Sequence, residues 1–174
     1  GGSVAALAGA LAAALGEMVC RLPLHRKSFS AQQPAREESL AHLTRLRERL
    51  MQNIDRDAQS YNAVLAAFKL SKTTETEQQA RAQAIEAASK TAAAVPLETA
   101  QMAVEAARVI ETLRTMTIPQ AASDLAVALY LADAARRGAL ENVRANLPSV
   151  ADSEWVTQTE RQIRTLEHTP ERSF

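Results

Sequence analysis

Asp57 stands where a helix of this pattern would carry a hydrophobic residue. From Ala35 to Leu70 the chain reads as one long helix whose apolar seam runs Leu40, Leu43, Leu50, Ile54, Tyr61, Val64 and Phe68, and Asp57 falls on that seam. An acid there gives up burial and desolvates a carboxylate. The pattern therefore predicts a side chain that is paired, keeps its proton or takes part in chemistry, with a satisfied structural carboxylate as the plainer alternative. Asp55 is two positions away, on a different face, so the two acids form no dyad. Ser123 and Asp124 lie at an expected helix start, where free backbone N–H groups favour negative charge, and a simple cap explains them equally well. Asn142 and Asn146, four apart, put two amides on one helix face that could read the donors and acceptors of a heterocycle; C-capping is the plainer alternative.

Other catalytic machinery is missing from the sequence. His25, His42 and His168 are scattered without HExxH spacing, Cys20 is the only cysteine, and no Walker loop, GxGxxG or GxSxG motif occurs. Any chemistry has to rest on carboxylates, amides, hydroxyls and helix ends, and no metal is expected.

The elements that must position these groups are helices. Alanine makes up about a fifth of the 174 residues, aromatics 3% and glycines five positions, a composition that favours closely packed helices over a sheet. The expectation is a single all-α domain over residues 1–174, an up-and-down bundle of five or six helices with one long helix. Prolines 23, 34, 96, 119, 148 and 170 punctuate it. Helix one is expected from an N-cap at Ser3 to about Arg21, with Ala5, Gly9, Ala12, Ala13 and Gly16 as a small-residue face; His25 to Gln33 reads as a basic loop. Thr74 and Glu77 form a capping box opening a third helix to about Ala94, and Pro96 starts or kinks a fourth reaching about Met116. A fifth begins near Ser123 and passes through Gly138 to Asn146, and a sixth runs from Asp152 to about Glu167.

Lys plus Arg balances Asp plus Glu at 20 each, so no net field attracts nucleic acid or an anionic membrane. The apolar run Val4 to Leu15 is shorter than a bilayer span and Glu17 follows it, so it reads as a core helix. A lone Cys20 in an apolar helix reads as a small buried hydrophobe and suits a reducing, cytoplasmic compartment. Helices faced with Ala and Gly bury little area each, which leads to the expectation of a homodimer.

Several stretches together resemble the cyclodeaminase/cyclohydrolase family of folate enzymes: Gly1-Gly2-Ser3-Val4-Ala5-Ala6, Asp57-Ala58 with Tyr61-Asn62, Val95-Pro96-Leu97, Ser123-Asp124, Gly138-Ala139, Asn142-Val143 and Asn146-Leu147. The resemblance covers nearly the whole chain. It implies an all-helical fold that dimerises through helix packing, a tetrahydrofolate derivative bound in a groove near the subunit contact, and, in some members, a formiminotransferase as fused or separate partner. It assigns the catalytic carboxylate to Asp57 and makes Gly1, Gly2, Ser3, Tyr61, Ser123, Asp124, Asn142 and Asn146 pocket candidates. Two departures stand out: the family often has a third glycine and an upstream helix ahead of Gly1, and Ser71 replaces part of a Leu-Pro-Lys stretch of which Lys72 is kept.

The implied reaction is cyclodeamination, in which N10 of 5-formiminotetrahydrofolate attacks the formimino carbon and ammonia leaves. A single carboxyl in a partly dry groove could move the N10 proton if desolvation favoured its neutral form. Lys72, Arg26 or Lys27 would meet the glutamate tail on charge alone. The alternatives are methenyltetrahydrofolate cyclohydrolase, which uses the same groove in the hydrolytic direction, and a non-catalytic helical dimer module.

Overall fold

The computed structural model describes residues 1–22 and 27–168. Five α-helices carry the fold: α1 (Gly2–Arg21), α2 (Gln33–Phe68), α3 (Glu75–Thr112), α4 (Ala122–Asn146) and α5 (Ser153–Glu167), with no strand among the described residues. A 3-10 helix, Lys27–Gln32, occupies most of the expected basic loop. Pro23, His25, Arg26 and Pro170 lie outside the described residues, as does the side chain of Lys27.

Successive helices run up and down. Gly9 meets Leu50 and Gly16 meets Leu43, so α1 is antiparallel to α2; Gly1 meets Asn142 and Gly138 meets Ala5, so it is antiparallel to α4 as well. The small-residue face of α1 is what lets both neighbours, and α3, approach. A Cβ on Gly16 would stand 2.7 Å from Leu43 Cδ1 and 3.0 Å from Ile110 Cγ1. Around that half of α1 lies the larger core, with Leu43, Leu46, Leu50, Met102, Ile110, Leu113, Leu125 and Leu129. A smaller one of Ala5, Ala93, Ala100, Ala139, Leu140, Val143 and Ile163 backs the α1 N-terminus. As a whole α1 is long and apolar enough to cross a membrane, but here it is the bundle's core helix, with eleven of its residues buried. Cys20 is buried with it, and burial pushes its thiol up to about 11, as befits a packing residue.

Local signals set the helix ends. Thr74 and Glu77 make the capping box of α3, with Glu77 N–H donating to Thr74 Oγ1 at 3.3 Å and Thr74 N–H to Glu77 Oε2 at 2.9 Å. Asp152 caps α5 through Trp155 N–H at 3.0 Å and also holds Lys90 of α3 at 2.9 Å. Two expectations are corrected. The third and fourth helices are one, with Pro96 buried inside α3, because packing on α2 and α4 outweighs the lost backbone bond. Ser3 is not the cap of α1: Gly1 is the N-cap residue and has no side chain to cap with, and the acceptor arrives from another helix.

Beyond Asp57, α2 continues about 16 Å past the start of α1 and leaves Tyr61, Leu65 and Phe68 exposed. Arg49 and Arg56 of α2 clamp Glu98 of α3 at 2.6 and 2.7 Å. Burial works against the Glu98 carboxylate, but the two guanidiniums outweigh it and hold the group below its ordinary range. A depressed carboxylate stabilises the fold above its unfolded value and loses that contribution as pH falls through its folded value. The difference in urea midpoint between wild type and Glu98→Gln should therefore stay constant above about pH 5 and shrink below about pH 4.

Candidate functional site

The first turn of α1 needs acceptors for backbone N–H groups that no residue inside the helix can satisfy. Asp57 of α2 provides one from across the helix interface. Ser3 N–H donates to Asp57 Oδ2 at 2.7 Å, and Ser3 Oγ lies 2.8 Å from the same oxygen and 3.1 Å from the Ile54 carbonyl. A hydroxyl has one proton, so Ser3 Oγ donates to one of the two at a time. The positive end of the α1 dipole adds to the pull on the carboxylate. These surroundings are polar, in place of the dry groove the sequence suggested, and the residue is only half-buried.

Glycine makes the approach possible. A Cβ on Gly2 would lie 2.1 Å from Asp57 Oδ1 and 2.6 Å from its Cγ, a separation no side chain can take. Gly2 has no positive φ, so its role is space and not backbone freedom. On the other flank, a Cβ on Gly1 would meet Asn142 Nδ2 at 2.9 Å. The Asn142 amide also donates to the Gly138 carbonyl at 2.7 Å. Among the described residues Asp57 Oδ1 accepts no hydrogen bond, so one oxygen is anchored and the other is free to take a proton. Arg56, next in sequence, is spent on Asn53 Oδ1 at 2.6 Å and on Glu98.

Gly1, Gly2, Ser3, Asp57 and Asn142 are thus brought together, and Tyr61 stands one turn further along α2, exposed on the overhang. Ser123 and Asp124 are not part of this group: they open α4, about 28 Å from Asn142 along the helix, because α4 runs antiparallel to α1. Lys72 sits in the turn after α2, beyond the roughly 16 Å that separate Asp57 from the helix end. Asn146 is turned to the main chain, its Nδ2 donating to the Ala92 carbonyl at 3.1 Å and the Asn142 carbonyl at 2.9 Å. Both its donors are occupied, so it is not the free heterocycle reader its spacing suggested. The Ile54 carbonyl was not foreseen; main-chain groups leave no trace in residue type. Among the described residues no three His, Cys, Asp or Glu side chains cluster as a metal site would require.

The all-helical bundle holds one carboxyl oxygen of Asp57 over Gly2 at a helix start, a placement in which a single carboxylate can exchange a proton with a bound molecule. Comparison with known proteins gives the family. A family model described as formiminotransferase-cyclodeaminase matches residues 1–165, and the chain belongs to that family of enzymes. It is 32% identical over 166 residues to a methenyltetrahydrofolate cyclohydrolase of Methylorubrum extorquens, covering 95% of this chain and 80% of that protein. To the formimidoyltransferase-cyclodeaminase of Gallus gallus it is 30% identical over 169 residues, covering 95% of this chain but 31% of that protein. The crystal structure of formiminotetrahydrofolate cyclodeaminase from Thermotoga maritima superposes with a TM-score of 0.84 at 25% identity, over 95% of this chain and 79% of that one.

Gly2→Ala tests the geometry. In an open helix the change would gain stability by about 1 kcal/mol. Here the methyl group must displace Asp57 from Ser3, so a net loss of about 1–3 kcal/mol in urea unfolding is expected, with turnover falling alongside. A more stable and fully active variant would contradict the arrangement.

Proposed function

We propose that the chain is a formimidoyltetrahydrofolate cyclodeaminase, converting 5-formiminotetrahydrofolate to 5,10-methenyltetrahydrofolate and ammonia, with Asp57 as its catalytic base. The observation that carries this is the half-bound carboxylate: Oδ2 fixed by Ser3, Oδ1 over Gly2 with no hydrogen bond among the described residues. N10 attacks the formimino carbon, a C–N bond forms, and Oδ1 takes the N10 proton. The imino nitrogen takes one proton from solvent as the tetrahedral carbon forms and receives the Asp57 proton as it leaves. The C–N bond to that nitrogen breaks, ammonia departs, and the methenyl cation remains. Because attack is intramolecular, holding N10 beside the carbon supplies much of the rate. Tyr61 on the overhang offers a ring for the pteridine or benzoyl face, and Asn142 an amide beside Gly1. Lys72, at the far end of the overhang, would meet the glutamate tail.

The cyclohydrolase reading is favoured by one observation, the 32% identity to a cyclohydrolase of which the chain covers 80%. There the same carboxylate takes one proton from water as it adds to the methenyl carbon, the remaining hydroxyl proton passes to N5 as the C=O forms and the C–N5 bond breaks, and 10-formyltetrahydrofolate is left with one proton released to solvent.

The pocket residues on α4 are reconciled with Asp57 by a homodimer. Val4, Leu7, Leu11, Met18 and Leu22 form an exposed apolar stripe along α1, flanked by Val127 and Tyr130 of α4. Two copies packed antiparallel across this stripe would set the α4 start of one, with Ser123 and Asp124, beside the α1 start and Asp57 of the other. The stripe extends over about 27 Å and spans two helices, the scale on which a dimer contact of about 800 Å² per partner is built.

Purified protein given 5-formimino- and 5,10-methenyl-tetrahydrofolate separately, with the methenyl chromophore followed, reports the direction. Asn retains an acceptor for Ser3, so Asp57→Asn should keep its melting temperature while turnover drops by about 10²–10⁴-fold. Full turnover by that variant removes Asp57 from the mechanism. Asp124→Asn should be inactive alone, yet an equal mixture with Asp57→Asn, unfolded and refolded together, should regain about a quarter of wild-type activity through mixed dimers. No regain would place Asp124 outside the partner's site.

A further inference from the structure

Pro96 creates a gap in the backbone of α3. Having no N–H, it cannot bond the carbonyl four residues earlier, which belongs to Ala92. Ala92 and Pro96 are both buried, so water is not at hand to replace the missing donor, and an unpaired carbonyl there is destabilising. The replacement comes from another helix: Asn146 Nδ2 donates to the Ala92 oxygen at 3.1 Å. The second proton of the same nitrogen goes to the Asn142 carbonyl at 2.9 Å, one turn back in α4. That turn carries the Asn142 side chain which abuts Gly1, and Gly1 leads into Gly2 and Ser3, the residues against which Asp57 is seated.

We infer that Asn146 is a positioning residue: its amide fills the donor vacancy left by Pro96 and thereby ties the end of α4 to α3, fixing Asn142 where it abuts the turn that holds Asp57. The mechanical logic follows from where each group sits. The last carbonyls of a helix have no partner inside it, so the end of α4 frays unless something holds it. Asn146 holds it to α3, at the point inside α3 where Pro96 leaves a carbonyl open. A proline in the middle of a 38-residue helix is then part of the site's support: it exposes the acceptor that Asn146 needs. The role of Asn146 in catalysis rests on the folate reading proposed above; its link to Pro96 does not.

A double-mutant cycle separates the two. Pro96→Ala restores an N–H that can bond the Ala92 oxygen within α3, which makes the Asn146 donor redundant for that carbonyl. Asn146→Ala alone should lower the melting temperature by several degrees, and in the Pro96→Ala background the same change should lower it by less than about half as much. Additive effects would overturn the link. If Asn146→Ala does not fold by itself, recovery of folding in the double variant supports the link and continued failure overturns it. For positioning, Asn146→Ala assayed well below its melting temperature should show kcat reduced about tenfold or more with KM within about threefold. Wild-type kcat in the folded variant would show that Asn146 serves packing only. Should the wild type turn over no folate, the functional reading fails while the melting cycle still decides the link.

Discussion

The site depends on one contact, the carboxylate of Asp57 seated on the first turn of α1. It solves two problems together. A helix that begins with two glycines and has no side-chain cap of its own needs an acceptor at its start, and an acid on the apolar seam of α2 needs donors and a positive field. Each supplies what the other lacks. The contact also sets the register of α1 on α2, reinforced further along by Gly9 on Leu50, Gly16 on Leu43 and the buried Glu17 with Arg47 at 2.6 Å. The small-residue face of α1 thereby has a chemical consequence: it brings a backbone close enough for a carboxylate to sit on it with one oxygen to spare.

Around that contact the bundle divides its labour. Toward the C-terminal end of α1, large aliphatic side chains from α2, α3 and α4 make a dry core that stabilises the assembly. Toward its start the packing is finer, with alanines, a glycine pair and a network of amides and carboxylates: Asn53 with Thr99 at 3.1 Å, Arg56 with Glu98, Asn142 with Gly138 and Asn146 with Ala92. Hydrogen bonds are directional where apolar contacts are not, so the end of the bundle that seats Asp57 is the more narrowly specified one.

Much of this was legible in the sequence, and the parts that were not share a cause. Helix ends governed by neighbouring residues were read to within a few positions: the capping box at Thr74 and Glu77, Asp152 at the start of α5, Asn146 at the end of α4. Asp57 stands out in the sequence because an acid breaks an apolar period, and the glycine face of α1 because glycine is otherwise unfavourable in a helix. What escaped depends on groups distant in the chain. Ser3 looked like a cap because Ser often is one; that α2 would bring the acceptor depends on packing. Pro96 looked like a boundary because the stabilisation that carries α3 through it comes from α2 and α4. Asn142 and Asn146 share a helix face, as their spacing requires, yet one borders the glycine turn and the other is engaged by the orphaned carbonyl of Ala92. Ser123 and Asp124, grouped with Asp57 by likeness to a family, lie a helix length from it within one chain because α4 runs antiparallel to α1, so only the partner copy proposed above would bring them together.

The most direct test of the account is a crystal structure of the protein with 5-formyltetrahydrofolate, a stable mimic of the formimino substrate. The account predicts N10 of the ligand within hydrogen-bond distance of Asp57 Oδ1, with Ser3 still bound to Oδ2. A folate lodged elsewhere on the bundle, with Asp57 engaged only by Ser3, would contradict it.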